Sequence, residues 1–241
     1  MQPPPRVDLP PEGRVFHHRD RVTLADVSPA GRARLDALAR WLQDAAYHDS
    51  RDSGLRDSGV WIVRRLALRV RRFPTLLDEI DVATFCSGVA PLWAERSSLV
   101  CCNGDVLADA VALWVHLQRD GARPEALPRG FHAIYGVSAM GRRVRARLRH
   151  PAEPPAGAPA RRWHLRGADL DLAGHVNNAV YWEALEEELV AREPEAGLAA
   201  EIEHRAPAEA GEATVLADGP MRWIAAPDGT VVATLTAAPL P

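Results

Sequence analysis

Asp169-Leu-Asp-Leu-Ala-Gly-His-Val-Asn-Asn178 gathers two carboxylates, a histidine, two carboxamides and a glycine into one short segment. That set suits transfer of an activated acyl group to water, as in thioester hydrolysis. Such chemistry needs a base that deprotonates water, or a carboxylate that attacks directly. It also needs donors for the charge that develops on the carbonyl oxygen. Asp171 suits either the nucleophile or the base. His175 suits the base, or the group that orients carbonyl or water. The spacing leaves these roles open. If a helix starts just after the segment, the backbone N–H groups near His175 to Asn178 lack intrahelical partners and point outward at its positive end. Gly174 lets the backbone approach a ligand closely. Asn177 and Asn178 are supporting candidates. One donor to an oxyanion is typically worth about 3 kcal/mol of transition-state stabilisation. The structural alternative is that aspartate and asparagine here only cap a helix.

The elements that must hold this segment form one pattern written twice. Residues 14–24 read as a strand. Ser28-Pro29 reads as an N-cap with proline at the first helical position. Leu35, Leu38, Trp41, Leu42 and Ala45 then recur at helical spacing, predicting a long helix that ends near Asp49-Ser50. Strand-like runs follow at 61–73, 79–88, 94–102 and 106–118, with the Asn103-Gly104 hairpin signal between the last two. From 121 to 160 the chain is rich in Gly, Pro and Arg, which predicts an extended linker. The pattern then restarts. Residues 162–166 read as a strand and 169–178 as a loop. Residues 179–191 read as a helix whose glutamates, including Glu183, Glu186 and Glu187, lie largely opposite its apolar side. Four short strands complete the chain.

The two helix approaches, Ala25-Asp-Val-Ser-Pro-Ala-Gly31 and Ala168-Asp-Leu-Asp-Leu-Ala-Gly174, share Ala-Asp and Ala-Gly at equal spacing. The expected fold is therefore α+β. It is a tandem hotdog, each half a long helix wrapped by an antiparallel sheet, with halves at 13–120 and 161–241. If the loop carries chemistry, only the second copy does, because Ser28 and Arg32 stand where it has Asp171 and His175.

Composition narrows the function classes. A net charge of −3 over 241 residues gives no reason to expect nucleic acid or an anionic membrane as partner. The opening Met1-Gln2-Pro3-Pro4-Pro5-Arg6 lacks the apolar core of a signal peptide. Three cysteines, two of them adjacent, make a poor disulfide framework and fit a reducing cytoplasm. No cysteines or histidines have zinc-ligand spacing, and His17-His18 reads as a strand pair. All the basic charge is arginine. Arg64, Arg65, Arg69, Arg71 and Arg72 share one predicted strand, and Arg142, Arg143, Arg145, Arg147 and Arg149 share the linker. Either group could steer an acidic partner or protect a solvated strand edge.

Residues 169–181, continuing to Ala179-Val180-Tyr181, resemble the Asp-Leu-Asp-x-x-x-His-Val-Asn-Asn-x-x-Tyr segment of the acyl-ACP thioesterases. They also resemble the Asp-x-x-Gly-His-Val-Asn-Asn segment of 4-hydroxybenzoyl-CoA-type hotdog thioesterases. In the first half, the strand from Trp61 into Phe73-Pro74-Thr75, with Asp78, Arg96 and Trp114 beyond, is similar to the acyl-ACP thioesterases too. The resemblance implies hydrolysis of fatty acyl-ACP to free fatty acid and ACP, in fatty acid metabolism, without metal or organic cofactor. It implies an acyl-binding first half, and a second half in which Asp171 and His175 match the family's catalytic pair. It implies an acyl carrier protein (or CoA) as the thioester's carrier, and a monomer or homodimer. Three positions depart from the family. Ala173 stands where the plant enzymes have asparagine. Pro207 and Ala208 stand where the family carries a catalytic glutamate, sometimes followed by cysteine. Glu209, two residues on, is the candidate replacement if it faces the same side of a strand. Alternatives are an acyl-CoA thioesterase and a non-hydrolytic acyl- or ACP-binding protein. A hotdog dehydratase fits less well, since that class places four residues between Asp and His and here there are three.

Overall fold

The computed structural model describes residues 8–55, 59–121, 123–194 and 197–240. The opening hexapeptide lies outside them. In chain order the elements are β1 (Phe16–Arg21), α1 (Leu35–Asp52), β2 (Val60–Val70), β3 (Glu79–Val89), β4 (Trp93–Cys102), β5 (Asp105–Leu117) and α2 (Phe131–Tyr135). Then come β6 (Ala160–Leu165), α3 (Glu183–Ala191), β7 (Leu198–His204), β8 (Gly211–Asp218), β9 (Met221–Ala225) and β10 (Val231–Pro239).

All ten strands join one antiparallel sheet in the order β1-β3-β4-β5-β2-β7-β10-β9-β8-β6. The second five strands repeat the order of the first five in mirror sequence, as a two-fold pair of hotdog units requires. The halves join where β2 pairs with β7, with Arg65 opposite Glu203 and Val70 opposite Leu198. Asn103 and Gly104 both take positive φ, 51° and 87°. A two-residue hairpin turn between β4 and β5 demands that conformation.

The long helix α1 packs on β1, β3 and α3. Leu35, Leu38, Trp41, Leu42 and Ala45 are all buried, as their spacing predicts. Each such leucine contributes about 1.5–3 kcal/mol by leaving water. One apolar core spans both halves, running from Leu38 through Trp182 to Ile202 and Leu235.

Four local expectations are corrected. The helix starts at Leu35, not after Ser28. Ser28 instead opens a tight turn, with its N–H on Arg32 O at 2.8 Å and its carbonyl accepting from Gly31 N–H. Glu186 is buried on α3 rather than solvated, because Arg32 pairs with it. Strand β2 is central, so its arginines protect no edge. Arg69 and Arg71 both pair with Asp109, and Arg65 is buried. The linker is more than a spacer. Its α2 sets Phe131 and Tyr135 against Cys86 and Ala94 in a second small core. Residues 142–151 are pinned along the sheet: Val89 N–H bonds Arg142 O, Arg65 Nη1 bonds Arg147 O, and Trp223 Nε1 bonds Pro151 O.

Candidate active site

The two repeat segments fold alike. Asp26 and Asp169 each end a 3-10 turn and take back the N–H that opens it, from Thr23 and Arg166. The bond from Ser28 N–H to Arg32 O recurs as Asp171 N–H to His175 O at 2.9 Å. Gly31 and Gly174 each donate back to the residue three before, at 2.9 Å, with φ of 81° and 75°. A Cβ at Gly174 would meet nothing within 4 Å. Its glycine is therefore dictated by the left-handed backbone of the turn.

The loop aims its groups selectively. Asp171 Oδ1 accepts from Ala173 N–H at 2.8 Å, while the side chain borders a cavity of about 360 Å³. Asn178 borders the same cavity, which runs past Gln43, Arg96 and Trp114 to Trp61, Phe131 and Tyr135. The cavity thus starts on a loop of the second half and extends into the first. Tyr181 is buried behind the loop. Burial first, and the Asp171 carboxylate second, push its phenol well above the ordinary tyrosine range.

The backbone donors are fewer than the sequence suggested, because the helix begins later. A 3-10 turn covers Val180–Trp182 before α3 starts at Glu183. Val176 N–H is taken by Ala208 O, Asn177 N–H by Asp169 O, and Val180 N–H by Asn177 O. Asn177 Oδ1 accepts from Ala179 N–H at 2.9 Å, which makes this side chain a cap. Among the described residues the amides of His175 and Asn178 donate to no protein group, and of the two residues only Asn178 lines the cavity. His175 stands exposed on the loop, tied to Asp171 through the backbone.

Glu209 does not take up the missing glutamate's place. The strand β7 ends at His204, and Pro207 lies in the loop beyond, where its missing N–H cannot extend a ladder. Glu209 is exposed there, off any strand, and does not line the cavity.

The structure instead brings in His204, the last residue of β7. Its ring meets Tyr181 edge-on at 5.4 Å. It shares a smaller cavity of about 30 Å³ with Asn178 and Trp182. Burial, with Arg64 adding to it, lowers the imidazole to about 3. His204 is therefore neutral at physiological pH and a weak base. The unfolded chain protonates at about 6.5, so between that value and about 3 the unfolded state binds the extra proton. Stability is then lost as pH falls, by about 1.4 kcal/mol per unit at the steepest. His204→Phe is expected to flatten this part of the stability–pH curve, measured by urea denaturation. Parallel curves for variant and wild type would refute it.

A second buried cluster has donor atoms within reach of a metal: His150, Glu201 and Glu203. Its charge is already balanced. Glu203 accepts from the N–H groups of Arg149 and His150 and from Arg205, and Arg65 lies 3.9 Å from Glu201. These groups clamp the linker to β7.

Two family models match the chain: the acyl-ACP thioesterase N-terminal domain over residues 13–135 and the C-terminal domain over 153–215. An uncharacterised protein of Mycobacterium tuberculosis is 25% identical over 211 residues, covering 86% of this chain and 83% of that one. An oleoyl-acyl carrier protein thioesterase from Arabidopsis thaliana is 24% identical over 175 residues, covering 62% of this chain and 47% of the plant protein. The chain thus spans about half the length of that plant relative. The fold matches the crystal structure of an acyl-ACP thioesterase from Bacteroides thetaiotaomicron with a TM-score of 0.76 at 20% identity, covering 92% of this chain and 96% of that one. With both domain models matched in order, and with the repeated loop and tandem sheet in place, the chain belongs to the acyl-ACP thioesterase family.

Proposed function

We propose that this protein hydrolyses fatty acyl-ACP thioesters to free fatty acid and ACP, with Asp171 as the acting carboxylate. The observation that carries this reading is the cavity. Asp171 and Asn178 border it from the second half, Trp61, Phe131 and Tyr135 give it an aromatic wall, and Glu95 and Arg96 also line it. The thioester carbonyl sits at the Asp171 end and the acyl chain runs beside α1. From Gln43 to Ser50 that helix spans about 10 Å.

Asp171 either takes a proton from water as it attacks the carbonyl carbon, or attacks that carbon itself. The free amide of Asn178 donates to the oxygen as it becomes negative. On the first route the C–S bond then breaks, the proton held by Asp171 passes to the departing thiolate, and the acid is released. On the second the thiolate leaves an Asp171 anhydride, which a water opens, giving free acid and carboxylate and a proton that balances the thiolate. His175, at the exposed rim, orients the thioester or its carrier. The first half binds the chain and the second supplies the chemistry, so one molecule completes its own site. Cys86 and Cys102 are free thiols, which supports a cytoplasmic setting. No helix among the described residues is long and apolar enough to cross a membrane.

The test is thiol release from a panel of acyl-ACPs and acyl-CoAs. Turnover of acyl-ACP is expected, and tight acyl-ACP binding with no turnover would favour a carrier-binding protein instead. Phe131→Ala, which opens the aromatic end, is expected to move the preferred chain longer. Each added methylene gains about 0.8 kcal/mol, so two shift the kcat/KM ratio by about tenfold. An unchanged length profile would mean that Phe131 does not form the floor.

A further inference from the structure

Five of the arginines lie in the run Arg142-Arg143-Val-Arg145-Ala-Arg147-Leu-Arg149. The structure pins this run through its backbone and so leaves its side chains outside. Val89 N–H holds Arg142 O, Trp93 Nε1 holds Val144 O, and Arg65 Nη1 holds Arg147 O. The result is an open hollow of about 540 Å³, bordered by those five arginines, by Arg65, and by Glu95, Val144 and Leu148.

The charge in this hollow is unbalanced. Among the described residues that line it Glu95 is the only carboxylate, paired with Arg142, and Arg65 faces Glu201 beneath at 3.9 Å, so the excess charge lies with Arg143, Arg145, Arg147 and Arg149. Elsewhere the chain matches arginines to acids closely, as with Asp109 between Arg69 and Arg71. Arg65 is buried at the base, and its guanidinium is disfavoured by burial first and by the charge of Arg149 second. A bound anion would relieve both effects. The guanidinium fork matches pairs of phosphate oxygens. The volume falls within the range of small-molecule sites. Val144 and Leu148 alternate with the arginines and offer an apolar floor for an uncharged portion of the ligand.

We propose that this hollow is a binding site for a diphosphate-bearing small molecule, separate from the Asp171 site. The two share only Glu95, on β4.

Calorimetric titration of the full chain tests this, with inorganic pyrophosphate, ADP and CoA as probes and orthophosphate as control. Saturable binding of pyrophosphate is expected, weakening by about tenfold for orthophosphate and falling further as salt screens the site. ADP or CoA binding more tightly than pyrophosphate would support use of the apolar floor and identify the source of the diphosphate. The double variant Arg145→Gln with Arg147→Gln should weaken binding by about tenfold. Its melting temperature and thioester turnover should not change, because both side chains are exposed and neither borders the acyl cavity. Absence of saturable binding overturns the proposal, as does a variant that binds like wild type. So does a variant that loses affinity only for an acidic carrier protein, since the hollow would then be a protein-docking surface.

Discussion

Asp171→Asn is expected to lower kcat by about 10²–10⁴-fold, the usual worth of a positioned base, with little change in acyl-ACP affinity. Asparagine keeps the shape and the Oδ1 acceptor that holds Ala173 N–H, so the loop should stand as it does in wild type. It loses the negative charge at the end of the acyl cavity, and with it the power to attack or to take a proton. Pre-steady-state thiol release measured beside equilibrium binding separates the two quantities. A variant that keeps kcat within about twofold would remove Asp171 from the chemistry. One turnover in ¹⁸O-water then distinguishes its two roles. Label in the Asp171 carboxylate means direct attack; where the label is in the fatty acid alone, trapping with hydroxylamine decides, since only an Asp171 anhydride gives an enzyme-bound hydroxamate.

Arg32→Ala is expected to destabilise the fold by about 3–5 kcal/mol, as when one partner of a buried ion pair is removed. Arg32 occupies the position that His175 holds in the second half. Its Nη2 lies 2.8 Å from Glu186, its Nε bonds Glu193, and its guanidinium stacks 4.8 Å over Phe73. Glu186 Oε2 meanwhile accepts the first N–H of α1, from Leu35 at 2.9 Å. Loss of Arg32 strands that buried carboxylate between the two helices. A melting temperature lower by roughly 6–20 °C would follow for a chain of this size. A loss below about 1 kcal/mol would place the pair among solvent-screened contacts.

Most of the strands were legible because their apolar runs are bounded by turn residues. Asn103-Gly104 is the clearest, since few other pairs accept two successive positive φ values. The repeated Ala-Asp and Ala-Gly frame was legible too, and the structure gives both copies the same set of backbone bonds. Contacts between residues far apart in sequence were not legible. Ser28-Pro29 looked like a helix start because a serine before proline has that local signature, but Arg32 O claimed its amide. The β2 arginines looked like an edge because no local pattern shows that β7, some 135 residues on, pairs with that strand. His204 was hidden for the same reason. A histidine in a strand says little until Tyr181 and Trp182 pack around it. Asp171 and Asn178 were legible as candidates because loop chemistry is written in adjacent residues, and both line the cavity. Glu209 was misjudged because its role needed the strand to continue through a proline.

The mirror order of the ten strands bears on how such a molecule can specialise. Two identical subunits related by a two-fold axis carry every substitution twice, so plugging one crevice plugs its twin. Covalent linkage lifts that coupling. Here an arginine is paired with two glutamates at one loop, while at the other a carboxylate lines a cavity. If the proposed division of labour holds, the corollary is dependence: neither half is expected to act alone, and mixing separately produced halves should restore activity only where the seam between the two central strands re-forms.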